Sequence, residues 1–228
     1  MLGHSDPTPY DLNFRLFGTP VRVHPFFWVV MFVLGYQPSD GGMQDNTKVA
    51  LVWTVAAFIS ILVHEFGHVL SARAFHWRTD EVVLYYCGGY AALHPPRGHR
   101  LVINDILISL AGPCAGFLLY GIIWLGIEFA PHMLGEMGDL GLYFWSFMLY
   151  INLYWGLFNL LPIYPLDGGQ VVRTFLTATF RGGSTAATFI SCLTAAGMAL
   201  YMFQSGNRFM GMMMIMLLIQ NVQMLQRY

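Results

Sequence analysis

Residues Phe58 to Phe75 read FISILVHEFGHVLSARAF. The run is rich in Ile, Leu, Val and Phe, yet its centre carries His64, Glu65 and His68. Ionisable side chains in so apolar a setting are costly unless something compensates them. Residues four apart in an α-helix lie one turn apart on the same face. His64 and His68 therefore present two imidazoles to one point, where a zinc ion would bind and offset the cost. Glu65, next to them, is placed to take a proton from water activated there. Ser60, Gly67 and Ser71 share roughly this face, which lets a neighbouring helix approach closely.

The rest of the chain fits a lipid setting. Of 228 residues, 56% are hydrophobic and 10% charged, and mean hydropathy is +0.55. Soluble globular proteins carry about 25% charged residues, so the composition predicts an integral membrane protein. A formal net charge of −1 leaves no basic footprint for nucleic acid. Cys114 and Cys192 fall in apolar runs and Cys87 sits beside two glycines, a pattern that makes no disulfide framework. The polar opening MLGHSDPTPYDLNF does not read as a cleavable signal peptide.

A helix needs about 20 apolar residues to cross the hydrocarbon core. The expected architecture is an all-α polytopic membrane protein in one domain over residues 1–228, with about six transmembrane helices. They are placed near 25–36, 48–74, 103–130, 142–161, 185–203 and 210–225, the first being the shortest. Between the second and third, DEVVLYYCGGYAALHPP predicts a small membrane-associated β-hairpin near 80–95, turning at Cys87 to Gly89. Phe14 to Val23 also reads as extended.

Lys and Arg concentrate on the cytoplasmic side of membrane proteins. A cytoplasmic N-terminus and six crossings put Arg15, Arg22, Arg73, Arg78, Arg97, Arg100, Arg173, Arg181 and Arg227 inside. Only Lys48 and Arg208 fall outside, so both termini are expected in the cytoplasm.

Zinc hydrolases use three protein ligands and keep one position open. Asp105, Glu128 and Asp167 are the candidates for the third. Glu128 falls at the outer end of the third span, whereas Asp105 also suits a helix cap. Asp167 follows NLLPIYP at the end of the fourth span, which runs in the same direction as the second. Its depth matches that of His68, and Asp167 is the favoured ligand.

HEFGH in one span and NLLPIYPLDGG at the end of another resemble the site-2 protease family of intramembrane zinc metalloproteases, in its compact six-span form. The resemblance takes in VRVHP (Val21 to Pro25) and LAGPCAG (Leu110 to Gly116) and covers most of Val21 to Val172. It implies one zinc ion per chain held by His64, His68 and Asp167, with Glu65 as the catalytic base and Asn159 contacting the substrate backbone. It further implies cleavage of a transmembrane protein substrate in a prokaryotic plasma membrane, at a site opening toward the cytoplasm. His24 lies in a matched stretch but reads as a helix cap or interfacial residue. The family often has Asn where this chain has Gly116, a departure that bears on substrate handling near the third span. No PDZ insertion or CBS module is recognisable within the chain. Two other functions suit the same motif: a zinc membrane hydrolase acting on lipid or prenylated peptide, and a non-catalytic protein that binds membrane spans.

Overall fold

The computed structural model describes residues 6–36, 42–86, 88–96, 101–129 and 138–226. Cys87 at the expected turn, Glu136, Arg97, Arg100 and Arg227 lie outside the described residues. The chain opens with two short strands, β1 (Leu12–Leu16) and β2 (Thr19–Val23), and helices α1 (Pro25–Gly35) and α2 (Gly42–Ala74). Strands β3 (Arg78–Tyr85) and β4 (Gly88–His94) follow. Among the described residues five helices come next: α3 (Val102–Phe129), α4 (Gly138–Asn159), α5 (Asp167–Thr179), α6 (Gly183–Gln204) and α7 (Arg208–Leu225).

Among the described residues, four of the six expected crossings are both long and apolar enough to span a membrane: Asp45–Ala74, Val102–Phe129, Gly183–Gln204 and Arg208–Leu225. Helix α4 has the length, at 22 residues, but Tyr143, Trp145, Tyr150, Asn152, Tyr154 and Trp155 lower its hydropathy. Helix α1 is shorter than a crossing requires. Its 11 residues reach only about 16 Å at about 1.5 Å per residue, roughly half the hydrocarbon core. Pro25 opens α1, and the Nδ1 of His24 accepts the Phe26 N–H at 3.2 Å, so His24 is the helix cap.

The expected hairpin is part of a larger sheet. Its order is β1-β2-β3-β4, with β2 and β3 parallel and the outer pairs antiparallel. Parallel strands need a crossover connection, which α1 and α2 supply. The register pairs Val21 with Val82 and Val23 with Leu84, all four side chains buried against the helices. At the polar end of the sheet, Arg22 of β2 lies 3.3 Å from both Asp11 and Glu81.

Two apolar cores divide the helices. The larger joins the sheet to α1, α2, α3 and α4 through residues such as Phe27, Ile61, Val69, Ile123 and Ile151. A smaller one packs Ile163, in the loop before α5, against Ala195, Ala199, Met214 and Leu217 of α6 and α7. Small side chains bring α2 and α3 together: a Cβ on Gly67 would lie 2.8 Å from that of Ala115 and overlap the carbonyl of Ala111. Close backbone approach of this kind is how helices associate where lipid offers no hydrophobic drive.

Candidate metal centre

The one-turn spacing on α2 brings the Nε2 atoms of His64 and His68 to 3.3 Å from each other. Asp167, the first residue of α5, faces both. Its Oδ2 lies 3.1 Å from His64 Nε2 and its Oδ1 3.4 Å from His68 Nε2. The three side chains are 3%, 7% and 6% exposed in the order His64, His68, Asp167. Among the described residues they form the one group of His, Cys, Asp or Glu side chains close enough to share a metal ion.

Hydrogen bonding selects the ring form that suits such an ion. His68 Nδ1 lies 2.7 Å from the carbonyl oxygen of Ile108 on α3. A carbonyl only accepts, so Nδ1 carries the proton and Nε2 is the ring atom left to serve as a ligand beside Asp167. A backbone carbonyl behind a histidine ligand also fixes the ring's orientation. Two Nε2 atoms and a carboxylate thus converge on one buried point. A proton bridges one pair of such groups; a cation between them serves all three. Two imidazoles with one carboxylate are a donor set of hydrolytic zinc sites, and the residues fit that ion.

Local backbone explains the convergence. Pro162 and Pro165 end α4 and prevent an uninterrupted helix into α5. The chain then turns back tightly, and a Cβ on Gly168 or Gly169 would strike the backbone of Leu160 or of Ile163. The two glycines after Asp167 are therefore packing requirements. On the opposite wall, a Cβ on Gly112 of α3 would lie 2.8 Å from His64 Nε2 and overlap the ring of His68.

Glu65 is also buried, at 5% exposure, and extends toward β4. A Cβ on Gly89 would stand 2.8 Å from Glu65 Oε1. The base candidate therefore lies directly beneath the edge strand of the sheet.

Not every candidate enters this cluster. Glu128 is exposed near the end of α3, and Asp105 sits in the first turn of α3, one turn before Ile108. Asn159 is the last residue of α4, its amide donating to the Trp155 carbonyl at 2.9 Å. Gly112, Gly89 and the Ile108 carbonyl were not legible as site components. Nor was Asn152, which carried the only available signal, a polar amide inside an apolar helix. Its Nδ2 donates to Ser60 Oγ at 2.9 Å and Met148 O at 2.8 Å. A Cβ on Gly116 would lie 3.6 Å from its side-chain oxygen, so α4 supplies an asparagine beside the position where α3 has glycine.

A sequence model of peptidase family M50 matches residues 52–138 and 132–204. The chain belongs to peptidase family M50. This M50 chain is 26% identical over 210 residues to a zinc metalloprotease of Methanocaldococcus jannaschii, covering 89% of this chain and 56% of that protein. It is 30% identical over 152 residues to stage IV sporulation protein FB of Bacillus subtilis, covering 67% of this chain and 46% of that protein. It thus spans about half the length of these curated relatives. Its fold is similar to that of the site-2 protease from Methanocaldococcus jannaschii, with a TM-score of 0.62, 22% identity and 94% of each chain covered. Family membership and the apolar helices together make the M50 chain an integral membrane protein.

Proposed function

We propose that this M50 chain is an intramembrane zinc metallopeptidase, hydrolysing a peptide bond within or near the transmembrane segment of a membrane protein. The observation that carries the reading is the convergence of His64, His68 and Asp167 on one buried point beside Glu65. His64, His68 and Asp167 would hold one zinc ion per chain. Bound there, zinc supplies Lewis acidity, lowering the pKa of a water and polarising a substrate carbonyl.

The chain's own residues then handle protons and position. Glu65 takes the proton lost as the water oxygen bonds to the carbonyl carbon, and returns it to the amine when the C–N bond breaks. His68 is held in its ligand form by the Ile108 carbonyl. Asn159 is assigned a contact with the substrate backbone. A helical substrate must unwind to expose its peptide bond, and the edge of β4 above Glu65 offers extended backbone with which it can pair.

The distribution of basic residues supports a site opening toward the cytoplasm. Lys48 lies near the start of α2 and Arg73 near its end, with His64 and His68 closer to Arg73.

The test is reconstitution in vesicles with a single-span protein substrate, beside phospholipid and prenylated-peptide substrates. Cleavage of the protein span by wild type, and its loss by about 100-fold or more in Glu65→Gln with zinc retained, is the expected result. Turnover of lipid or prenylated peptide alone assigns another hydrolase class. Zinc binding with no turnover of any substrate leaves a span-binding protein.

A further inference from the structure

The segment that carries Asp167 is irregular backbone buried between helices, and its peptide groups need partners. Inside a membrane protein, such backbone persists only where neighbouring protein satisfies it. Tyr164 lies at the centre of this segment, three residues before Asp167, and Pro165 after it disfavours the helical conformation.

Both backbone polar groups of Tyr164 are taken by side chains from the last two helices. The Tyr164 N–H donates to Ser191 Oγ of α6 at 3.1 Å. The Tyr164 carbonyl accepts from Asn221 Nδ2 of α7 at 2.6 Å. Each partner is itself locked in place by its own helix. The Ser191 hydroxyl donates to the Ala187 carbonyl at 3.0 Å, and Asn221 Nδ2 donates a second bond to the Leu217 carbonyl at 2.8 Å. Both are buried, Asn221 at 0% exposure and Ser191 at 2%. Polar side chains this deep in apolar helices are costly, and here each meets a backbone group of the same residue.

The link from Tyr164 to the ligand is short and stiff. Ile163, before it, is fully buried against Ala195, Ala199, Met214 and Leu217. Its backbone lies against Gly169, two residues after Asp167, too closely to admit a Cβ. The Leu166 N–H donates to the Ile163 carbonyl at 2.8 Å. The guanidinium of Arg173 on α5 sits 4.9 Å above the Tyr164 ring.

We propose that Ser191 and Asn221 are positioning residues for the metal centre, clamping the Tyr164 backbone through the peptide on each side of it so that Asp167 is held against His64 and His68. Helices α6 and α7 thereby tune metal affinity without contributing a ligand. This rests on the zinc reading of the site. Groups that orient metal ligands typically contribute about 10–100-fold in affinity.

The experiment measures zinc affinity by chelator competition, and the absorption spectrum of the cobalt-loaded protein, on full-length detergent-purified chains with the melting temperature recorded alongside. Wild type and His64→Ala bracket the scale. Asn221→Leu removes the donor while keeping the branched heavy-atom skeleton and is expected to weaken zinc binding by at least tenfold and to shift the cobalt bands. Ser191→Ala is expected to weaken binding several-fold, and Ser191→Thr, which keeps the hydroxyl, to restore it. A purely structural role predicts lower melting temperatures with unchanged affinity and spectrum in the folded protein, and that result overturns the clamp. If Asn221→Leu does not fold, Ser191→Ala and Ser191→Thr decide: equal affinity in both overturns it. Absence of metal binding in wild type overturns the underlying zinc reading instead.

Discussion

Gly112 on α3 lies against His68 on α2 so closely that a methyl group at position 112 would overlap the imidazole. The ring cannot move away freely, because its Nδ1 is tied to the Ile108 carbonyl at 2.7 Å. Glycine at 112 is thus a condition of this placement of the two imidazoles, although the residue has no side chain to take part in it.

Gly112→Ala tests that condition without a propensity penalty. Alanine is favoured over glycine in a helix by about 1 kcal/mol, so any loss comes from the site. The expected outcome is zinc affinity reduced by about tenfold or more, measured by chelator competition. Affinity within twofold of wild type would show that the rings tolerate the methyl.

Gly89 is the corresponding position over the base. A Cβ there would meet Glu65 Cγ at 2.7 Å and Leu84 Cδ2 at 2.8 Å. Valine is a good strand residue, so Gly89→Val separates strand stability from site geometry. Peptide hydrolysis should fall by about tenfold or more while zinc per chain stays unchanged, because Glu65 is displaced and the ligands are not. Parallel loss of zinc and activity would mean that β4 supports the ligands as well.

The sheet carries a pH-sensitive tie. Burial raises the affinity of the Asp11 carboxyl for a proton, but hydrogen bonds from the Thr8 hydroxyl and N–H and the nearby Arg22 guanidinium outweigh it, leaving the pKa below the ordinary aspartate value. A carboxyl with a lowered folded pKa stabilises the protein above its unfolded pKa and loses that contribution as pH falls through the folded one. The gap in melting temperature between wild type and Asp11→Asn should therefore be widest near neutral pH and close in acid. A gap independent of pH would remove Asp11 from this role.

Much of the side-chain cluster that makes the candidate metal centre was legible because its signals are local. The histidines lie one helical turn apart, and depth along two parallel spans singled out Asp167 over Asp105 and Glu128. Features set by distant chain segments were not legible. The parallel pairing of Val21 with Val82 joins strands separated by two helices, so the β3–β4 hairpin and the extended stretch from Phe14 to Val23 could be anticipated but not their union in one sheet. Helix α5 is 13 residues long and follows a proline-broken segment, where an Asp-Gly sequence reads as a turn. Helix α1 was legible in place and length, expected near 25–36 and found at Pro25–Gly35. Gly67 was readable as a close-approach residue from its place on the histidine face. Gly112 was not, because its role depends on where α3 crosses α2.

The central claim is that Asp167, about one hundred residues beyond His64 and His68, completes one zinc site with them. Zinc per chain by elemental analysis on chelator-free, detergent-purified wild type and Asp167→Ala tests this most directly. The account predicts about one zinc in wild type and clear loss in the variant, with both proteins folded. No zinc in wild type, or full retention in Asp167→Ala, would contradict it.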